Sequence, residues 1–165
     1  MYEAKTFNLP ELDGISQKTI ESHLGLYAGY VKHVNKIQSE LADVNDEYAR
    51  AEMQRRLGFE FGGMKNHEYY FNQFEGGAKD CPDGTFKTMV ESQFGDMDAF
   101  IDRMKTLAKT RGVGWVMCYH DHANNCLVLA WIDEQHLGQL ADVDIVLALD
   151  MWEHSFVADY HPSGK

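Results

Sequence analysis

Asp150-Met151-Trp152-Glu153-His154 is the stretch around which the rest of the chain is organised. It follows an apolar run at residues 145–149, which predicts a buried strand, and it opens an amphipathic segment, residues 152–160, that predicts a helix. A carboxylate that leaves a strand and an imidazole one helical turn later can point at the same spot. The alternative interpretation is an Asp that caps the helix and a His that faces solvent.

Length and composition limit the classes of protein that fit. The 165 residues suffice for one domain or for two small layers that share a core. The apolar runs are too short for a membrane span and residues 1–5 lack an apolar signal region, so we expect a cytoplasmic protein. Three cysteines without metal-type spacing argue against a disulfide framework. The formal net charge of −11 argues against nucleic acid or an anionic membrane as partner.

Residues 1–78 predict an antiparallel pair of long helices. Ser16 is a candidate N-cap of the first helix, which carries His23. Its inner face is predicted from apolar residues spaced three and four apart, namely Ile20, Leu24, Tyr27, Val31, Val34, Ile37 and Leu41. After a turn at residues 43–46, a second helix to about residue 74 carries His67. Its predicted inward-facing residues are Ala49, Met53, Leu57, Phe61, Met64 and Phe71.

Residues 79–165 predict a different architecture after a boundary rich in Gly, Pro and Asp. Two short amphipathic helices, residues 85–94 and 97–110, come first. Apolar runs at residues 115–119 and 126–132 flank turn residues and predict a hairpin, to which residues 145–149 add a third strand. The predicted fold class is therefore α+β, a helical-hairpin domain (1–78) followed by an α/β domain (79–165) with a small antiparallel sheet.

Three histidines and one aspartate from the two halves have a plausible common centre. These residues are His23, His67, Asp150 and His154. Imidazole and carboxylate ligands without a thiolate suit iron, manganese or zinc. Spacing alone leaves hydrogen-bonded core histidines as an alternative. A mononuclear iron oxygenase with two histidines and one carboxylate is a further alternative, but nothing in the sequence indicates its co-substrate pocket.

Several motifs resemble those of one family, in the same order along nearly the whole chain. Residues 150–156, Asp-Met-Trp-Glu-His-Ser-Phe, resemble the Asp-x-Trp-Glu-His-Ala-Tyr signature of iron/manganese superoxide dismutases. Residues 19–25 resemble the first-ligand helix of that family, and residues 66–71 resemble its second-ligand motif. Residues 94–95 and 112–115 match its linker and strand start.

The resemblance implies a helical hairpin followed by an α/β domain with a three-stranded antiparallel sheet. It implies one Mn or Fe ion per subunit, bound by His23, His67, Asp150 and His154. The implied activity is that of an antioxidant oxidoreductase, which converts the substrate superoxide to dioxygen and hydrogen peroxide by cycling between M(III) and M(II).

The resemblance also implies catalytic roles for two residues near the metal. Tyr30 is similar to the family's gateway tyrosine, although it lies one residue closer to His23 than usual. Gln135 is similar to the glutamine that hydrogen-bonds the metal-bound solvent, and His136 is the competing candidate. Gly63 and Gln135 together match the pattern of manganese enzymes, so they favour Mn over Fe.

Surrounding and interface residues follow from the same resemblance. Trp115 and Trp152 match tryptophans of the pocket wall, and Tyr27 stands near the usual position of a His-His pair. Glu153 matches a glutamate that bridges to a ligand histidine of the other subunit, which implies a homodimer.

Some positions depart from the family pattern. Leu26 replaces a lysine and Val157 replaces a tyrosine, while residues 161–165 end the sequence before the usual terminal helix and its arginine. Fewer cations on a chain with a net charge of −11 predict weaker electrostatic steering of superoxide. The departures also leave a second hypothesis, a superoxide-dismutase-like protein whose metal is structural and not catalytic.

Overall fold

The computed structural model describes residues 1–160, and residues 161–165, on which the predicted early ending falls, lie outside them. The elements are α1 (Gln17–Glu40), α2 (Glu47–Asn72), α3 (Thr85–Phe94), α4 (Met97–Ala108), β1 (Gly114–Asp121), β2 (Cys126–Asp133), β3 (Asp144–Asp150) and a 3₁₀ turn (Glu153–Ser155). The predicted α+β class is confirmed. Among residues 1–160, no helix is both long and apolar enough to cross a membrane.

The helical hairpin forms where the sequence predicts it. The Ser16 side chain accepts a hydrogen bond from the Thr19 amide, which caps α1, and Asp46 caps α2 through the Ala49 amide. The buried residues of the α1 stripe are Ile20, Tyr27, Val31, Val34 and Ile37.

Phe61 is wrongly predicted to face inward. Its side chain is 36% exposed and its ring packs against Tyr2 at a centroid distance of 5.9 Å. The prediction holds for the buried Met64 and Phe71, and it fails at Phe61 because polar and small residues occupy part of the inner face. The buried face of α2 includes Glu60, Gly63 and His67.

The sheet is three-stranded and antiparallel, as predicted, and its strand order is β2-β1-β3. Side chains of β1 alternate between two cores because successive residues of a strand point to opposite faces. Trp115, Met117 and Tyr119 pack against the helical hairpin, whereas Val116 and Cys118 pack against α3 and α4. The hairpin and the sheet therefore share one core, and a domain boundary at residue 78 stays a prediction.

The predicted helix over residues 152–160 does not form. Only the 3₁₀ turn is present, and Asp150 is the last residue of β3 and not a helix cap. The Ser155 hydroxyl lies 2.9 and 2.8 Å from the carbonyl oxygens of Asp150 and Trp152 and shares its one proton between them, which stabilises the turn. Asp150 and His154 are thus brought together by a side-chain-stabilised turn and not by an α-helical face.

Candidate metal centre

Four side chains from four elements converge between the hairpin and the sheet. The Oδ2 atom of Asp150 lies 3.1 Å from the Nε2 atoms of both His23 and His154, and 3.6 Å from that of His67. One ligand atom from each residue lies within 4.8 Å of all the others. The four residues grouped from the sequence therefore share one centre.

The protonation of His67 indicates that a cation belongs at this centre. Its Nδ1 atom lies 2.6 Å from the Gly63 carbonyl oxygen, which can only accept, so Nδ1 carries a proton. Burial lowers the pKa of His67 to about 3, so the ring is neutral and Nε2 bears a lone pair. That buried Nε2 has no hydrogen-bond partner among residues 1–160 and faces the Asp150 carboxylate. Two facing acceptors are favourable only with a cation between them.

Asp150 supplies the negative charge of the centre. Burial opposes its ionisation, but hydrogen bonds from His154 and His23 outweigh burial and lower the pKa of Asp150 to about 2. Its second oxygen, Oδ1, accepts from the Trp152 amide at 2.8 Å, which orients the carboxylate. Three imidazoles and one carboxylate match the ligand preferences of manganese, iron and zinc.

A chain of hydrogen bonds runs beside His67. The Trp115 indole donates to Gln135 Oε1 at 2.9 Å, and Gln135 Nε2 donates to the Tyr30 hydroxyl at 3.0 Å. The rings of Trp115 and Tyr30 each lie 5.1 Å from the His67 ring, centroid to centroid. Gln135 is fully buried, so this chain fixes both aromatic rings around the centre.

Two glycines of α2 make room for this chain of hydrogen bonds. A Cβ atom at Gly63 would lie 2.5 Å from the Tyr30 ring, and one at Gly62 would overlap the Gln135 carbonyl. Asn66 Nδ2 donates to that carbonyl at 3.0 Å and fixes the turn that carries Gln135. Small residues at positions 62 and 63 therefore make room for Tyr30 and Gln135.

Known proteins share these features along the chain. The family model for iron/manganese superoxide dismutases, C-terminal domain, matches residues 82–164. A superoxide dismutase [Fe] from Cupriavidus metallidurans is 33% identical over 170 residues, covering 97% of this chain and 84% of the relative. This chain belongs to the iron/manganese superoxide dismutase family.

Relatives of this family member carry either metal in their names. A superoxide dismutase [Fe] from Aquifex pyrophilus is 30% identical over 159 residues, covering 90% of this chain and 74% of the relative. A superoxide dismutase [Mn] from Mycobacterium intracellulare is 29% identical over 167 residues, covering 93% and 81%. The comparisons therefore support Fe or Mn binding without selecting one ion.

Gln135 and His136, the two candidates from the family resemblance for one role, make different contacts. The His136 ring packs against Phe59 at 5.9 Å, whereas Gln135 contacts Trp115 and Tyr30. Gln135, and not His136, therefore belongs to the chain of hydrogen bonds beside His67.

Tyr27, Trp152 and Glu153 surround the centre without entering it. The Tyr27 hydroxyl accepts from the Lys5 amide at 2.9 Å, directed toward the N-terminal segment. The Trp152 ring stacks on His154 at a centroid distance of 5.8 Å. Glu153 is exposed, and its side chain makes no hydrogen bond or ion pair within residues 1–160.

A cluster of charged and aromatic side chains beside the centre, most of it on α2, was not predicted from the sequence. Arg56 donates to the buried Glu60 at 2.8 Å and stacks over the Phe59 ring at 3.9 Å. His33 of α1 contacts the same Glu60 at 3.4 Å. The available signal was the i, i+4 spacing of Arg56 and Glu60, with Glu60 two helical turns before His67 on the same face.

Proposed function

We propose that this protein is a superoxide dismutase that converts superoxide to dioxygen and hydrogen peroxide. Its proposed metal ligands are His23, His67, Asp150 and His154, with one Mn or Fe ion per chain. The observation that carries the proposal is the buried His67 Nε2 lone pair directed at the ionised Asp150 carboxylate. When bound, the ion supplies one-electron transfer by alternating between its trivalent and divalent states.

The protein's part in this function is to orient the ligands and to keep water out. The Gly63 carbonyl fixes the His67 ring, and the Trp152 amide fixes Asp150. Partners of this kind orient metal ligands and tune the metal. Trp115 and Tyr30 cover His67, so they restrict access of solvent from that side.

We propose Tyr30 and Gln135 as the catalytic residues. Burial, together with the charges of Asp150 and Glu60, raises the pKa of Tyr30 to about 12, so its hydroxyl keeps its proton at neutral pH. That hydroxyl accepts from Gln135, which leaves its own proton for donation to a small anion in the adjacent pocket. The pair can therefore hold a proton ready beside the centre.

Manganese is the ion that we favour. The Tyr30 ring occupies the space beside Gly63, and the glutamine at position 135 donates a hydrogen bond to the Tyr30 hydroxyl. This is the arrangement that the family resemblance associates with Mn. Metal analysis of purified protein, repeated after reconstitution with Mn and with Fe, tests the choice, because only the matching ion should restore dismutation.

The same proposal includes a homodimer and a cytoplasmic location. The exposed Glu153 carboxylate supports the dimer, since it is available to a second subunit. The free cysteines Cys81, Cys118 and Cys126 support a reducing compartment. Light scattering of the parent and of Glu153→Ala tests the dimer, which the variant should weaken.

The second candidate function is a metal-binding protein of the same fold without catalysis. Leu26 and the exposed Val157 favour it, because the family resemblance places a lysine and a tyrosine there. A superoxide dismutation assay on the Mn-loaded and Fe-loaded forms decides between the candidates. A full complement of metal with no dismutation in either form would establish the second one.

A further inference from the structure

A pocket lined by residues of α1 and α2 opens beside the centre. Of the four proposed ligands only His154 has an exposed side chain, at 20%, while those of His23, His67 and Asp150 are fully buried. His154 and Tyr30 both line a pocket of about 420 Å³. A small anion that approaches through this pocket therefore meets Tyr30 and His154 together.

Arg56 is held in a fixed position in the wall of this pocket. Its Nε atom donates to Glu60, and its guanidinium plane lies over the Phe59 ring. Its terminal nitrogens make no hydrogen bond to any of residues 1–160, and 49% of the side chain is exposed. Because Arg56, Phe59 and Glu60 share one helix face, the guanidinium is pre-organised with donors to spare.

The charges of the pocket are arranged with the positive end outward. Arg56 is the one Lys or Arg that lines it within the described part of the chain, and Leu26 lies in the same wall. The Glu60 carboxylate lines the same pocket but is buried, and it contacts both Arg56 and His33. On a chain of net charge −11, the exposed charge of this ion pair is therefore the positive one.

We propose that Arg56 guides superoxide into this pocket and replaces the cation missing at Leu26. The inference rests on the proposed function, because it names the residue that attracts the substrate of that same site. A fixed positive charge in a low-dielectric pocket raises the local concentration of an anion and its association rate. Arg56 acts on capture, so it should affect kcat/KM and leave kcat largely unchanged.

Arg55 provides a matched control on the same helix. It is bound to Glu52 through two hydrogen bonds, of 2.7 and 2.6 Å, and does not line the pocket. Arg56→Ala and Arg55→Ala each remove one positive charge, so the two variants have the same net charge. We expect Arg56→Ala to lower kcat/KM about three-fold to ten-fold at low ionic strength, and Arg55→Ala to change it less than about two-fold.

Ionic strength and a conservative variant sharpen this comparison. The parent rate should fall as salt is added, because salt screens the attraction between Arg56 and the anion. The Arg56→Ala rate should be flat or rise, because that attraction is absent. Arg56→Lys should keep most of the parent kcat/KM and its salt dependence. If Arg56→Ala unfolds because Glu60 loses its partner, Arg56→Ala/Glu60→Gln is compared with Glu60→Gln, because these two variants differ only in the charge of Arg56. Equal rates and equal salt slopes for the Arg55 and Arg56 variants would overturn the proposal.

A readout without catalysis separates this inference from the proposed function. Crystals of metal-free parent soaked in bromide should show anomalous density at the Arg56 guanidinium, and Arg56→Lys crystals should show it at the ammonium group. Arg56→Ala crystals should lack it. Bromide at Arg56 in a protein without dismutation would refute the proposed function and keep the anion site. Dismutation with no bromide at Arg56, and no difference between the two Arg variants, would refute this inference alone.

Discussion

The Nε2 atom of His67 faces the Oδ2 atom of Asp150 across 3.6 Å of buried space, and the hydrogen bond from His67 Nδ1 to Gly63 leaves Nε2 without a proton. The two elements that carry them, α2 and β3, are held together by the shared core and by Gln73, which bonds to both the N–H and the C=O of Ala148. The arrangement is unfavourable when the centre is empty and favourable when a cation lies in it. Several measurable consequences rest on this contact.

Asp150→Asn should abolish metal binding and should also lower the stability of the metal-free protein. The amide lacks the negative charge of the ligand, and an amide nitrogen in the place of Oδ2 cannot accept the hydrogen bonds from His23 and His154. Added Mn or Fe should raise the melting temperature of the parent and leave that of the variant unchanged. Thermal unfolding and metal analysis, with and without a chelator, measure both effects.

Asp144→Asn is the matched control, at the opposite end of β3. It removes the same charge from an exposed carboxylate that contacts His122 on the surface. This variant should bind metal as the parent does. Retained stoichiometric metal in Asp150→Asn would contradict the proposed ligand set.

Acid should destabilise the metal-free protein as pH falls from 6.5 toward 3. Burial lowers the pKa of His67 from 6.5 to about 3, so below pH 6.5 the unfolded chain binds a proton that the folded chain refuses. Asp150, whose pKa is lowered from 3.8 to about 2, adds a further loss only below pH 3.8. Urea-unfolding midpoints across this range should decline, and His67→Gln should decline less steeply.

The control for this pH series is His33→Gln. This variant removes an imidazole that lies outside the centre, with 56% of its side chain exposed. A slope in His67→Gln equal to that of the parent would show that the buried imidazole does not govern the acid sensitivity.

Gly63→Ala should disturb the centre through Tyr30. The new methyl group would lie 2.5 Å from the Tyr30 ring, which would have to move away from Gln135. Overpacking of this kind costs about 1–3 kcal/mol of folding free energy, and we expect lower dismutation activity as well. Gly25→Ala, where no atom lies within 4 Å of the new methyl group, should instead stabilise the protein by about 0.5–1 kcal/mol. Chemical denaturation of both variants tests these opposite signs.

Gln135→Ala should affect the protein far more than His136→Ala. It leaves the Trp115 indole and the Tyr30 hydroxyl without their buried partner, at a cost of about 1–3 kcal/mol, and it should lower kcat. His136→Ala removes a ring whose buried Nδ1 has no partner among residues 1–160, so its stability cost should be small. Equal losses of activity in the two variants would mean that Gln135 has no special role.

The sequence predicted the parts of this molecule that depend on repeating patterns. The stripe from Ile20 to Ile37 and the alternation along β1 determine which faces are buried, and both are visible in the chain itself. The grouping of His23, His67, Asp150 and His154 was also available, since family motifs surround each of them. The stripe and the alternation were predictable because each depends on residues close together in the sequence, whereas the grouping of distant ligands was predictable from the family motifs.

Features that depend on contacts between distant segments were not predictable from the pattern. The 3₁₀ turn replaces a predicted helix because Ser155 binds two carbonyls, and because Asp159 accepts hydrogen bonds from the Ser16 amide and the Thr19 hydroxyl of α1. The role proposed for the Arg56–Glu60 pair depends on the pocket that both residues line together with Tyr30. The local periodicity of the sequence does not predict contacts between segments that are far apart in the chain.

Each of the four ligands belongs to a different element, α1, α2, β3 or the 3₁₀ turn. Partial fraying of any one of them would strip a ligand from the ion, so exchange of bound metal with a chelator should track the rare openings that separate hairpin from sheet. The rate of metal loss would then measure how often the helical hairpin and the sheet separate in the native protein. The bound ion would thus report local opening of the interface between the two layers.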